Sequence, residues 1–117
     1  LALSGADGVM IGRGACGRPW LLGRIAALLE GAPAPVEPTP DEMLAIVLDH
    51  YAAMLEHYGC ALGLRHARKH LAWYLEALPG GAAHARRVNR MDDPRAVVAA
   101  LREIFARAAD DETALAA

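Results

Sequence analysis

Several things are scarce in this sequence, and each scarcity narrows what it can be. It has two cysteines, Cys16 and Cys60, at no metal-ligand spacing and in no redox motif. That argues against a disulfide framework and leaves two free thiols in a reducing compartment as the expectation. No apolar run reaches the ~18 residues of a membrane span, and no signal-peptide pattern is present. Aromatic residues make up only 5% of the 117 positions, so each is expected to have a definite place. His66 and His70 stand four apart and could share a metal from one helix, but no third ligand follows at a recognisable spacing and a catalytic zinc needs three; no metal is expected. No HExxH and no Ser/His/Asp or Cys/His arrangement stands out. The carboxylate pairs Asp41-Glu42 and Asp92-Asp93 fall at helix starts, where capping and the helix dipole account for them. Initiator methionine is absent as well, and Leu1 reads as the middle of a longer protein.

What is present is ordinary globular material, 55% hydrophobic and 22% charged, enough for one domain with a modest core. The formal net charge of -2 hides an asymmetry. Between Arg65 and Arg90, six cations (Arg65, Arg68, Lys69, Arg86, Arg87, Arg90) face one anion, Glu76. The acids cluster elsewhere, so the local field favours a polyanion.

Along the chain, Leu1 to Ser4 reads as the last turn of a helix stopped by Gly5. Val9-Met10-Ile11 is a short apolar run between glycines, the pattern of a strand buried on both faces in a parallel sheet. Gly12-Arg13-Gly14 follows, and Pro19 opens a helix with an apolar stripe from Trp20 to Leu29. This is one βα unit, a place where backbone N–H groups can hold an anion, although a plain tight turn has the same spacing. Residues 31–38 form a proline-alanine linker. Thr39-Pro40-Asp41-Glu42 is a capping box that begins a helix ending at Gly59. A second long helix is predicted from about Gly63 to Leu78, a short basic one over 82–90, and a last one after Asp92-Asp93-Pro94, with the tail from Asp110 expected to fray. The fold class read from this is mainly α, a small antiparallel bundle over 39–117 preceded by one βα unit over 1–30. A lone strand cannot satisfy its ladder bonds, so Gly5 to Gly14 is expected to be irregular, disordered or paired with a second chain.

The most informative stretch is Arg65-His66-Ala67-Arg68-Lys69-His70-Leu71-Ala72-Trp73-Tyr74. On a helical wheel, Leu64, Ala67, Leu71, Tyr74, Leu75 and Leu78 share one face. Arg65, Arg68 and Lys69 share another, with His66, His70 and Trp73 as a third stripe beside it. A solvated surface would explain the charges. Against that, Lys69 is the only lysine in the chain, and an indole and two imidazoles flank the cations, a mixture that grips phosphates and stacks on bases.

Ala6 to Ala15, continued by Gly17-Arg18-Pro19-Trp20, resembles the end of the barrel in bacterial tRNA-dihydrouridine synthases. Ala67 to Tyr74 resembles the signature of their helical domain, and Asn89-Arg90 the short motif after it. The resemblance is nearest to the B subgroup and spans Gly5 to about Ala109. It implies that 1–30 is the last βα unit of a flavin-binding TIM barrel and that the helical part binds tRNA. It also implies reduction of uridine to 5,6-dihydrouridine by flavin mononucleotide (FMN) recharged from NADPH, in the cytoplasm. Gly12 and Arg13 match the flavin-phosphate residues. Arg68, Lys69, His70, Trp73 and Tyr74 match the tRNA-facing motif, and Arg65, Arg86, Arg87 and Arg90 extend the basic surface. The family's catalytic cysteine lies on a mid-barrel loop outside this sequence and Cys16 does not match it, so this chain alone is expected to reduce no uridine. The alternative is a stand-alone helical RNA-binding or interaction domain.

Overall fold

A computed structural model describes residues 1–116. Its first segment contains no strand, and over 6–12 it is irregular, the outcome expected for a lone strand without ladder partners. Leu1 to Gly5 is a single turn, with the Ser4 and Gly5 N–H groups donating to the Leu1 carbonyl. Val9-Met10-Ile11 forms no strand; it runs without regular structure, with Met10 95% exposed. No strand exists among the described residues, so this run has no ladder partner and no sheet to bury its faces. Residues 13–15 make one turn of 3₁₀ helix. Then α1 spans Leu21–Leu29, two residues after Pro19 rather than from it. None of its residues is buried, and Leu22, Leu28 and Leu29 are exposed. The TIM-barrel setting expected for this unit is therefore not seen.

The helical part is as the periodicity reads it. Thr39 caps α2 (Pro40–Tyr58): its hydroxyl accepts from the Glu42 N–H, while the Glu42 carboxylate accepts from the Thr39 N–H at 3.0 Å. The two reciprocal bonds satisfy donors that a helix start leaves free. Gly59, at φ +78°, is the whole connection to α3 (Cys60–Glu76). Then come α4 (Gly81–Val88) and α5 (Pro94–Ala116), which starts as the Asp93 carboxylate accepts from the Arg95 N–H. The tail expected to fray continues α5 as helix to Ala116, though its side chains from Asp110 on are exposed.

Packing runs α2 on α3, α3 on α4, and α5 back onto α2 and α4. The core joins Val47, Tyr51 and Met54 of α2 to Leu71, Tyr74 and Leu75 of α3, Val88 of α4, and Val97, Leu101, Ile104 and Phe105 of α5. Full burial of such a side chain contributes about 1.5–3 kcal/mol, which is why the apolar stripes decide the bundle. Trp20 packs on the edge of this core and ties the N-terminal segment to it.

Candidate functional site

The glycine loop lies against α3. In its 3₁₀ turn the Ala15 and Cys16 N–H groups donate to the carbonyls of Gly12 and Arg13, at 3.1 and 3.0 Å. Gly12 and Arg13 are exposed, and Arg13 forms no ion pair among the described residues. A Cβ at Gly12 would meet nothing within 4 Å, so the backbone there is open to a ligand. Gly17 is the opposite case. It is buried at φ +74°, and a Cβ there would lie 2.6 Å from the Trp73 carbonyl oxygen. Only glycine lets the loop rest on α3 at this point. One carboxylate holds the arrangement from outside. Glu37, in the linker, accepts from the Trp20 indole N–H at 2.9 Å and pairs with Arg18 and Arg24.

Between loop and bundle opens a cleft of about 420 Å³, lined by Gly12, Cys16, Ile46, His50, His70 and Tyr74 among others. The Tyr74 hydroxyl and His50 Nδ1 share a hydrogen bond of 3.1 Å. The His50 ring meets His70 edge-on at 5.1 Å between centroids, and His70 meets Trp73 the same way at 5.1 Å. Burial lowers the His70 pKa below its ordinary 6.5, and the neighbouring His50, Lys69 and His66 push it the same way. Burial raises the Tyr74 phenol. The cleft is thus lined by rings with hydrogen-bonding edges, a wall suited to a flat polar ring.

The structure sorts the predicted cations into separate groups. Arg65 and Arg68 line a second cleft beside the starts of α3 and α5, where the Arg68 guanidinium donates to the Asp92 carboxylate at 3.1 Å. Lys69 is exposed, forms no ion pair among the described residues, and holds its ammonium 5.9 Å from the Trp73 ring centroid. Arg86 and Arg90 line a third cleft between α4 and the end of α3, with Asn89 and Glu76. Arg87 turns away to Glu103 of α5 at 2.8 Å, which holds the Glu103 carboxyl below its usual range, and Glu103 also pairs with Arg107. Four of the six cations, Arg65, Lys69, Arg86 and Arg90, are therefore without an ion-pair partner among the described residues. Of the third stripe, His70 and Trp73 are half-buried and His66 exposed.

Sequence reasoning missed His50 and Glu103, and read Asp92 only as a helix-start residue, not as the partner of Arg68. His50 lies three residues after core Val47, on the flank of the α2 apolar stripe, and that spacing was its only signal. Asp92 and Glu103 act across the bundle and carry no local signal.

The family model described as "Dihydrouridine synthase (Dus)" matches residues 1–110. Among curated relatives, a "Probable tRNA-dihydrouridine synthase" of Rickettsia conorii is 44% identical over 105 residues, 90% of this chain and 32% of the relative. One of Rhodobacter capsulatus is 49% identical over 102 residues, 87% of this chain and 31% of the relative. One of Mycobacterium leprae is 46% identical over 82 residues, 70% of this chain and 21% of the relative. The chain thus spans about a third or less of the length of these relatives. No solved structure matches it.

Proposed function

Because the chain belongs to the dihydrouridine synthase family, we propose that it is the segment of a tRNA-dihydrouridine synthase that holds tRNA and completes the flavin phosphate site. The parent enzyme reduces a tRNA uridine to 5,6-dihydrouridine in the cytoplasm, and FMN recharged by NADPH supplies the hydride when bound. This chain supplies binding and orientation. What carries the reading is α3: its apolar face is consumed by the core, while Lys69 and Arg65 stay exposed and without ion pairs among the described residues. Arg86 and Arg90 on α4 extend the cationic surface. Arg68 and Arg87 contribute less, since carboxylates already occupy them.

Gly12 and Arg13 fit one end of the flavin, its phosphate. The fit rests on an open backbone at Gly12 and an exposed guanidinium without an ion pair at Arg13. Gly17 then links the two roles, because it seats the loop that would hold the phosphate directly on the Trp73 carbonyl of α3. A flavin and a tRNA bound at these places are positioned by one rigid contact.

The test is a titration of the chain with unmodified tRNA, followed by fluorescence anisotropy at two salt concentrations. Lys69→Ala weakens binding and lowers the slope of log affinity against log salt by about 1. Arg68→Ala weakens it less, and Asp92→Asn, which releases Arg68, strengthens it. Binding indifferent to salt and to Lys69→Ala refutes the reading. The isolated chain, given FMN and NADPH, yields no dihydrouridine.

A further inference from the structure

We propose that Tyr58 and His66 form a stacking platform for an unpaired RNA nucleotide, a site that rests on the tRNA-binding reading and deepens it. Tyr58 ends α2 and is 46% exposed, whereas Tyr51 and Tyr74 are buried at 1% and 3%. Both tryptophans are half-buried and Phe105 is fully buried, so Tyr58 is the one exposed Phe, Tyr or Trp ring among the described residues. That exposure leaves surface of Tyr58 open to a ligand.

The ring is also held in place. Its centroid lies 4.7 Å from that of His66, with the planes 34° apart, and the His57 imidazole meets it edge-on at 4.6 Å. Gly59 makes this possible, because a one-residue turn sets the end of α2 beside the first turns of α3. A ring already fixed loses little freedom when a base stacks on it, so most of the stacking energy appears as affinity.

The surroundings supply the other half of a single-strand site. His66, Lys69 and Trp73 follow one another along one side of α3 at spacings of three and four. Lys69 therefore sits between two ring systems about 10 Å apart along the helix. Arg65, next to His66, is exposed and without an ion pair among the described residues. Cations between rings match the pattern of single-strand binding, in which charge follows the backbone and rings take the bases. The cleft by His50 and His70 shares no lining residue with this platform.

The experiment is an anisotropy titration of the 117-residue chain with fluorescein-labelled single-stranded oligouridine and with unmodified tRNA, over a salt series. Tyr58→Ala weakens oligouridine binding ~5-fold or more, from the stacking energy of one base. It leaves the slope of log affinity against log salt unchanged, because no phosphate contact is lost. Tyr58→Phe binds like the parent, and His66→Ala shows a smaller loss. Circular dichroism confirms that each variant keeps its helices. Parental affinity in Tyr58→Ala overturns the platform, as does a parent chain that binds tRNA but not oligouridine. A parent that binds neither RNA overturns the tRNA reading and this one with it.

Discussion

Replacing Gly17 by alanine tests whether the glycine loop is seated on the bundle. Gly17 has φ +74°, and a Cβ would stand 2.6 Å from the Trp73 carbonyl oxygen and 2.7 Å from its carbon. Left-handed backbone costs a residue with a Cβ ~1–2 kcal/mol. The clash adds to this, and it falls on backbone that α3 holds in place. The loop can escape both costs by lifting away, so opening becomes easier by at least ~1–2 kcal/mol, which raises the open fraction ~5–30-fold. Hydrogen exchange reads that fraction directly. The reporters are the Cys16 and Arg18 amides, which donate to the Arg13 and Ala15 carbonyls at 3.0 Å each. In Gly17→Ala they exchange ~5–30-fold faster. Amides in the middle of α5 keep their rates, because Gly17 is not part of the core cluster. Gly23→Ala is the control: a Cβ at that helical position meets nothing within 4 Å, so it leaves the loop amides unchanged. Unchanged exchange at Cys16 and Arg18 in Gly17→Ala would refute the seating. Faster exchange throughout α5 would show instead that the loop belongs to the cooperative core.

Two further outcomes follow from the buried groups. His70 has a lowered pKa, from burial first and then from His50, Lys69 and His66, so the unfolded chain takes up its proton more readily than the folded one. Its contribution to stability is full above the ordinary value of 6.5 and declines as pH falls below it; urea midpoints across that range should drop with falling pH in the parent and drop less in His70→Gln, and equal slopes would refute the assignment. The Tyr51 hydroxyl is buried without a hydrogen-bond partner, and burial raises its pKa. Removing an unpaired buried hydroxyl while keeping the ring is neutral or favourable, so Tyr51→Phe leaves the urea midpoint unchanged or raises it by up to ~1 kcal/mol of stability. A clear loss would reveal a bonded partner.

The helical half was legible because its signals are local. The Thr39 capping box, the Gly59 stop and the 3.6-residue stripes each act within a few residues, and each recurs in the structure. Of the six residues the wheel put on the inner face of α3, Leu64, Ala67, Leu71, Tyr74 and Leu75 are buried, while Leu78 lies past the helix end at Glu76 and is half-buried. The strand pattern forms no strand, as expected of a lone run, for the complementary reason. Val9-Met10-Ile11 has the composition of a buried strand, but strand structure depends on neighbours that lie elsewhere in a chain, and none is among the described residues. Leu28 and Leu29, read as part of an apolar stripe, are likewise exposed, and no residue of α1 is buried among the described residues.

Charge was the least legible property, and the reason bears on function. Counting six cations between Arg65 and Arg90 treats them as one field. Two of them are paired, Arg68 with Asp92 just before α5 and Arg87 with Glu103 in α5, both acids outside the counted window. Each pair is exposed enough for a phosphate to compete with the carboxylate, and exposed pairs contribute only ~0–1 kcal/mol. The acids therefore weaken nonspecific attraction without closing the surface to a ligand that brings several phosphates at once. Lys69 is left as the exposed charge on α3 between an indole and an imidazole. A single lysine there serves placement more than total charge, because a phosphate held between two rings fixes where the neighbouring bases can lie.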